Sequence, residues 1–302
     1  MSDEKNGTVA PALVLEGGGF RGMFTAGVLD VLQERGIYAF SGIWGVSAGA
    51  VNAANFRSRQ IGRTMRDILA FRDDRRFMSL WSFATTGDIA GADFMYDEVQ
   101  NRLDPCDVAT FNASGTPLWV VVSDVTFGTP AYLPVRSFPD DIDRVRASAS
   151  LPTVSRTVEL DGHRYLDGGT TDSIPYAAAL GLPGAAEVEG RPAAERALVV
   201  LTQDRGYVRE QTGSSEQIAL RSHRYDRYPY YLEALRTRAE RYNAQRERLW
   251  ELEEDGTCLV IAPEEPVAVG PSTRDGEALL SLYVAGRRQA TERLTEIEAF
   301  LA

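Results

Sequence analysis

Three short glycine-bearing stretches carry the residue types in this chain that could do chemistry. They are Gly17-Gly18-Gly19-Phe20-Arg21-Gly22, Gly45-Val46-Ser47-Ala48-Gly49 and Asp167-Gly168-Gly169. Bare backbone at a helix start can hold an anion, because the first N–H groups of a helix have no partner within it. The anion could be the pyrophosphate of a dinucleotide or the negative oxygen of an acyl-transfer intermediate. Ser47 stands in a G-x-S-x-G pattern. On a sharp strand-to-helix turn such a serine is pushed clear of the sheet, and the glycines avoid collisions with strand and helix. The N–H of the next residue, Ala48, then points toward a developing oxyanion.

Gly17-x-Gly19-x-x-Gly22 also fits the dinucleotide fingerprint. That fingerprint requires an acidic residue about 20 positions further on, closing the second strand, to hold a ribose hydroxyl. The corresponding stretch, SGIWGVSAGAVNAA (Ser41 to Ala54), has no carboxylate. That weakens the dinucleotide reading, so no cofactor is expected, and keeps the oxyanion reading in play. A dinucleotide-dependent oxidoreductase remains the rival reading.

A serine nucleophile needs a group to take its proton, usually a histidine held by an acid. The chain has two histidines, His163 and His223. His163 lies four residues before Asp167 in a strand-like run, and at about 3.3 Å per residue the two are roughly 13 Å apart. A straight strand cannot bring both to Ser47. His223 sits in a charged helical stretch outside the core. The two read as a turn-side and a solvated histidine. Asp167, followed by two glycines at a strand end, has an open backbone from which its carboxylate can enter a cleft. The competing reading is an ordinary turn aspartate, since D-G is a common turn dipeptide.

The elements that must position these groups follow from hydrophobic periodicity. Ala12 to Glu16 reads as a buried strand, Met23 to Arg35 as a helix closed by Gly36, Phe40 to Val46 as a strand and Ala48 to Ile61 as a helix. That order is the pattern of an open parallel sheet covered by helices. Arg75 to Val99 is aromatic, glycine-rich and irregular. Leu118 to Asp124 is a third strand, with Ala131 to Val135 beside it, and Asp141 to Ser150 a short helix ended before Pro152. Thr157 to Gly169 is a hairpin turning at Asp161-Gly162. Gly181 to Ala194 is a loop and Ala197 to Thr202 a further core strand. Ile218 to Glu254 reads as two helices broken near Pro229, Leu259 to Ala262 as a strand, and Glu277 to Leu301 as one amphipathic helix. The mixed arginine and glutamate of the C-terminal region reads as a solvated face.

Bulk composition narrows the function. The 302 residues are 44% hydrophobic and 25% charged, as in ordinary globular proteins. No apolar run reaches the roughly 18 residues of a membrane span. The acidic, polar start argues against a signal peptide, and residues 1–10 read as a disordered leader. Cys106 and Cys258 are too distant in sequence to form a metal knuckle, no metal is expected, and a reducing compartment fits. A net charge of −11 disfavours nucleic acid and anionic bilayers as partners. The expectation is a cytoplasmic protein that touches a membrane surface only peripherally.

The three motifs, in this order and each complete, resemble the patatin-like phospholipase family over roughly residues 10 to 205. Ala147-Ser148-Ala149-Ser150-Leu151-Pro152 is similar to that family's small-residue helix and proline. Tyr228-Pro229, Arg238, Tyr242-Asn243 and Ile261-Ala262-Pro263 resemble a bacterial branch with an added helical region. The resemblance implies an α/β fold of three layers, a mostly parallel central sheet flanked by helices. A catalytic domain at 11–205 would be followed by a helical C-terminal extension, 206–302, packed on it. It implies a Ser–Asp dyad without histidine, with Ser47 as nucleophile and Asp167 as general base. Gly18 and Gly19, with Ala48, would form the oxyanion hole, and Arg21 matches the family's basic position. The substrate would be a lipid or other acyl ester. Phe77, Met78, Leu80, Trp81 and Phe83 would line an acyl channel or a membrane-touching lid; a helical cap core is the plainer reading of them. An esterase or thioesterase on a non-phospholipid substrate, and a non-catalytic lipid-binding regulator, stay open. Head group, chain length and oligomeric state are not set by the sequence.

Overall fold

The computed structural model describes residues 9–77, 91, 93–210, 214–270 and 273–302. The expected alternation of strand and helix opens the chain: β1 (Ala12–Leu15), α1 (Gly22–Glu34), β2 (Ile43–Val46), α2 (Ala48–Arg57) and α3 (Arg63–Phe71). A helix wound with π-type turns follows, α4 (Phe94–Leu103), then α5 (Val108–Ala113), β3 (Leu118–Asp124), β4 (Pro130–Val135) and α6 (Ile142–Ser148). The hairpin is β5 (Val158–Leu160) and β6 (His163–Asp167), turning through Asp161 and Gly162, both at positive φ. Beyond it lie α7 (Tyr176–Leu180), β7 (Ala197–Val200), α8 (Ser214–Arg221), α9 (Pro229–Arg236), α10 (Arg238–Glu254), β8 (Cys258–Ile261), α11 (Gly276–Glu292) and α12 (Leu294–Leu301).

The strands form one sheet in the order β5-β6-β3-β2-β1-β7-β8, with β4 also paired to β3. The five strands from β3 through β8 in that order are mutually parallel, and β4, β5 and β6 join by antiparallel pairing. Alternation along β1 makes the layers. Leu13 and Leu15 face a core shared with α1, α2 and α11, whereas Ala12 and Val14 face one shared with α7 and α10. The fold is thus a three-layer α/β/α sandwich with a mostly parallel sheet and a helix-rich C-terminal region, as the sequence suggests.

Some boundaries differ from the sequence reading. Arg75 to Val99 is not irregular throughout, since Phe94 onward is helical. The stretch read as two helices becomes three, because the chain breaks at Thr237 as well as before Pro229. Proline suits the first turn of α9, where its missing N–H costs nothing. The last helix is also broken, at Arg293. There the Arg293 guanidinium reaches back to the carbonyl of Val260 in β8 at 2.6 Å.

One feature of the registry positions the site. β3 lends one edge to β4 along residues 118–123. Its other edge pairs with β2 up to Val46↔Val121 and then with β6 from Asp167↔Val122. A strand has only two edges, so β2 and β6 occupy the same lane and meet end to end. Their C-terminal ends are one residue apart in register, about 3.3 Å along β3. Both chains must turn sharply out of the sheet at that junction, one at Ser47 and the other at Asp167.

Candidate active site

Ser47 makes its turn at φ 54° and ψ −120°, a conformation that side chains rarely adopt. The cost of such strain is of order 1–3 kcal/mol and must be met by the surroundings. The surroundings are visible. The N–H of Ser47 donates to Oγ of Ser148 at 2.9 Å, and that hydroxyl donates to the carbonyl of Val121 at 2.6 Å. A Cβ on Gly45 would lie 2.7 Å from the backbone of Ala50, and one on Gly49 would lie 2.3 Å from the carbonyl of Leu15. The two motif glycines therefore let the strand end, α2 and β1 close around the serine.

Asp167 ends β6 and caps a single helical turn, Gly168 to Thr170. Its Oδ1 accepts the N–H of Gly169 at 2.7 Å, and its own N–H donates to the carbonyl of Ser150 at 2.7 Å. Gly168 packs so closely on β3 that a Cβ would fall 2.2 Å from the carbonyl of Val121. The buried Oδ2 has no donor at hydrogen-bonding distance and angle. Burial pushes the carboxyl above its ordinary pKa. The Ser47 hydroxyl, the Arg238 guanidinium, the Gly169 N–H and Arg209 each draw it partway back. Ser47 thus stands close enough to Asp167 to favour its charged form without a hydrogen bond that locks the two together.

The glycine loop lies on the same side. Gly17 abuts the serine, so that a Cβ there would sit 3.0 Å from Cβ of Ser47, and Gly19 has φ 56°. Among the described residues the backbone N–H groups of Gly18, Gly19 and Ala48 have no acceptor. Thr202, just past β7, holds the loop from behind by donating its hydroxyl to the carbonyl of Gly17 at 3.1 Å. Thr202 is itself held by the buried carboxylate of Glu16, which accepts its N–H at 2.5 Å. Arg21 stands at the start of α1 with its buried Nε unpartnered.

The histidines lie apart from this junction. Nδ1 of His163 pairs with Asp124 at 2.7 Å, and His223 pairs with Asp226 at 3.1 Å on the exposed surface. Of the apolar wall, Phe77 is buried with its ring 5.8 Å from that of Phe20 in the glycine loop. Met78, Leu80, Trp81 and Phe83 lie outside the described residues. Among the described residues no cluster of side chains could hold a metal ion.

Sequence reasoning missed Glu16, Thr202 and Arg209, which sit at strand ends or in a loop with no periodic signal, and Glu216, which lies in the first turn of α8. It also misjudged one face of α10. The mixed charge of that helix suggested solvent, yet Tyr242 and Arg246 are buried and Arg238 reaches the Asp167 loop. Their i, i+4 and i+8 spacing from Arg238 was the available signal.

The profile described as "Patatin-like phospholipase" matches residues 13–180, and one described as "Domain of unknown function (DUF6363)" matches 228–302. YjjU of Escherichia coli (strain K12) is 34% identical over 168 residues, 54% of this chain and 46% of YjjU. The NTE family protein Mb1092c of Mycobacterium bovis is 30% identical over 179 residues, 57% of this chain and 46% of that protein. The chain spans about half the length of these curated relatives. Among solved structures, VipD from Legionella pneumophila aligns with a TM-score of 0.44 at 12% identity, covering 95% of this chain and 67% of that one. ExoU in the ExoU–SpcU complex of Pseudomonas aeruginosa aligns at 0.40 and 15% identity, covering 97% and 52%. The family match takes in more than half of the residues, all three motifs included, and this chain belongs to the patatin-like phospholipase family.

Proposed function

We propose that this chain is a serine lipid acyl hydrolase of the phospholipase A or lysophospholipase type, working through a Ser47–Asp167 dyad and an acyl-enzyme. The observation that carries the reading is the meeting of β2 and β6 in one lane of the sheet, which sets a strained serine against a buried aspartate with a free oxygen. Ser47 Oγ attacks the carbonyl carbon of the ester while Asp167 takes its proton. Asp167 then gives that proton to the leaving alcohol. Water, deprotonated by the same carboxylate, attacks the acyl-enzyme and releases the fatty acid and Ser47.

A carboxylate of ordinary pKa, about 3.9, is a poor base toward serine. Burial raises that of Asp167 and with it the carboxylate's basicity. Much of the rate must still come from the N–H groups of Gly18, Gly19 and Ala48 acting on the oxyanion. Loss of one such donor typically costs about 10² to 10³ in kcat. Arg21, beside the loop, orients it or adds positive charge to it.

Support for a lipid substrate comes from the family and from the apolar contact of Phe20 with Phe77 beside the loop. No helix among the described residues is long and apolar enough to cross a membrane. The test is a hydrolysis panel of phospholipids, lysophospholipids, acylglycerols and p-nitrophenyl esters, with fluorophosphonate labelling mapped by mass spectrometry. Labelling at Ser47, lost in Ser47→Ala together with hydrolysis, is expected. Unlabelled Ser47 in an active preparation refutes the assignment. Cleavage confined to water-soluble esters or thioesters would replace the lipid substrate and keep the chemistry.

A further inference from the structure

The C-terminal region touches both halves of the candidate site through one helix. Along α10, residues 238, 241, 242, 245 and 246 recur at the spacing of a single helical face. Four of them, 241, 242, 245 and 246, hydrogen-bond to the catalytic half. Arg241 donates to the carbonyl of Thr170 at 2.7 Å, and Gln245 donates to the buried carboxylate of Asp172 at 2.6 Å. These two hold the turn that follows Asp167. Tyr242 donates its hydroxyl to Glu16 at 2.5 Å, directly before the glycine loop, and Arg246 donates to the carbonyl of Asp204 at 2.5 Å. Arg238 reaches furthest. Its Nη2 occupies the space that a side chain on Gly169 would need, 3.0 Å from where a Cβ would be, and that same Cβ would be 3.0 Å from Oδ1 of Asp167.

We propose that α10 is a working part of the active site, in which Arg238 is a positioning residue for Asp167 and Tyr242 fixes the glycine loop through Glu16. The catalytic consequence rests on the Ser–Asp reading above; the placement does not. The missing side chain of Gly169 is the seat of the Arg238 guanidinium. Glu216 on α8 holds that guanidinium at 2.6 Å and also pairs with Arg209. Two carboxylates, Asp167 and Glu216, are thereby balanced by two guanidiniums in a buried cluster, with the Tyr231 phenol of α9 and the Ser47 hydroxyl as its other polar neighbours.

The balance has a purpose. A wholly buried, unpaired carboxylate takes up a proton rather than stay charged. Protonated, Asp167 could not take the proton of Ser47. Burial pushes the Asp167 carboxyl up, and Arg238 is the largest opposing charge upon it. The helix thus keeps the base ionised while the pocket keeps it basic. A role in packing alone would make no such connection between α10 and the protonation of Asp167.

The test is the titration of Asp167 in the full chain, read by 13C NMR of its side-chain carboxyl, with Asp167→Asn to assign the signal. In Arg238→Gln the midpoint is expected to rise by about 1–2 pH units, the typical effect of losing one nearby opposite charge. Arg238→Lys should restore most of it. Glu216→Gln removes the anion that shares Arg238, and the midpoint should move down. Opposite shifts from two neutral substitutions are not produced by loosened packing, and either variant suffices if the other does not fold. Tyr242→Phe should lower kcat about ten- to hundredfold with KM little changed, the usual scale for a lost hydrogen bond to a charged group. An Asp167 midpoint that ignores both Arg238→Gln and Glu216→Gln overturns the proposal. A wild-type chain that cleaves no acyl ester while Asp167 shifts as expected removes the hydrolase reading and leaves the placement of Arg238 supported.

Discussion

At the residue scale the site turns on one buried carboxyl with one oxygen satisfied and one open. Oδ1 is fixed by the N–H of Gly169, and Oδ2 has no donor. Its direction of titration gives a pH dependence with a definite sign. Burial lifts the Asp167 pKa, so the protonated form, which the proposed mechanism makes inactive, persists to higher pH than for an exposed aspartate. The rate should therefore be complete above that raised midpoint and fall as pH drops through it. In a plot of kcat/KM against pH, the acid limb is expected above the ordinary value of about 3.9. A limb at or below that value would mean that some other group, or an exposed Asp167, controls the reaction.

At the element scale the site depends on close backbone approaches. Gly27 in α1 and Gly286 in α11 bring the two helices into contact, and a Cβ at either would fall 2.1 Å from a carbonyl of the partner helix. Gly27→Ala must push the helices apart. A loss of about 1–3 kcal/mol is expected from such overpacking, measured as a lower urea midpoint with unchanged slope; an unshifted midpoint would show that the crossing yields freely. This scale also separates what could be read from the sequence from what could not. The motif glycines and the strands beside them were legible, because Gly45, Gly49 and Gly168 mark places where a side chain would strike backbone and Gly18, Gly22 and Gly169 places where it would strike a neighbouring side chain. Asp161-Gly162 was legible as a turn for a different reason, the positive φ that both positions adopt. The lane shared by β2 and β6 was not, since register between strands more than 100 residues apart leaves no local trace. Nor was the buried face of α10. Arginine, glutamine and tyrosine at helical spacing look the same whether they face water or a partner loop, and only the partners Glu16, Thr170 and Asp172 decide.

At the scale of the whole molecule, residues 206–302 and the catalytic half share a sheet and a core. β8 pairs along β7, α11 lies on α1, and α10 grips the turn after Asp167 and the end of β1 before the glycine loop. Removing the region would bare the edge of β7 and the apolar face of α1. A chain ending at residue 205 is therefore expected to show no cooperative thermal transition by circular dichroism and no labelling of Ser47. A fragment that melts cooperatively and hydrolyses esters would contradict this. The net charge of −11 bears on the same scale. It opposes general adhesion to anionic membranes, so under the proposed function contact with lipid would come from a local apolar surface.

The central claim is that Asp167, and no histidine, takes the proton of Ser47. The most direct measurement is kcat/KM for one p-nitrophenyl ester in Asp167→Asn and in His163→Ala, each confirmed to be folded. Asp167→Asn should lose about 10² to 10⁴ in rate, the span of general-base catalysis, and His163→Ala should match the wild type. Retention of activity in Asp167→Asn, or its loss in His163→Ala, would contradict the account.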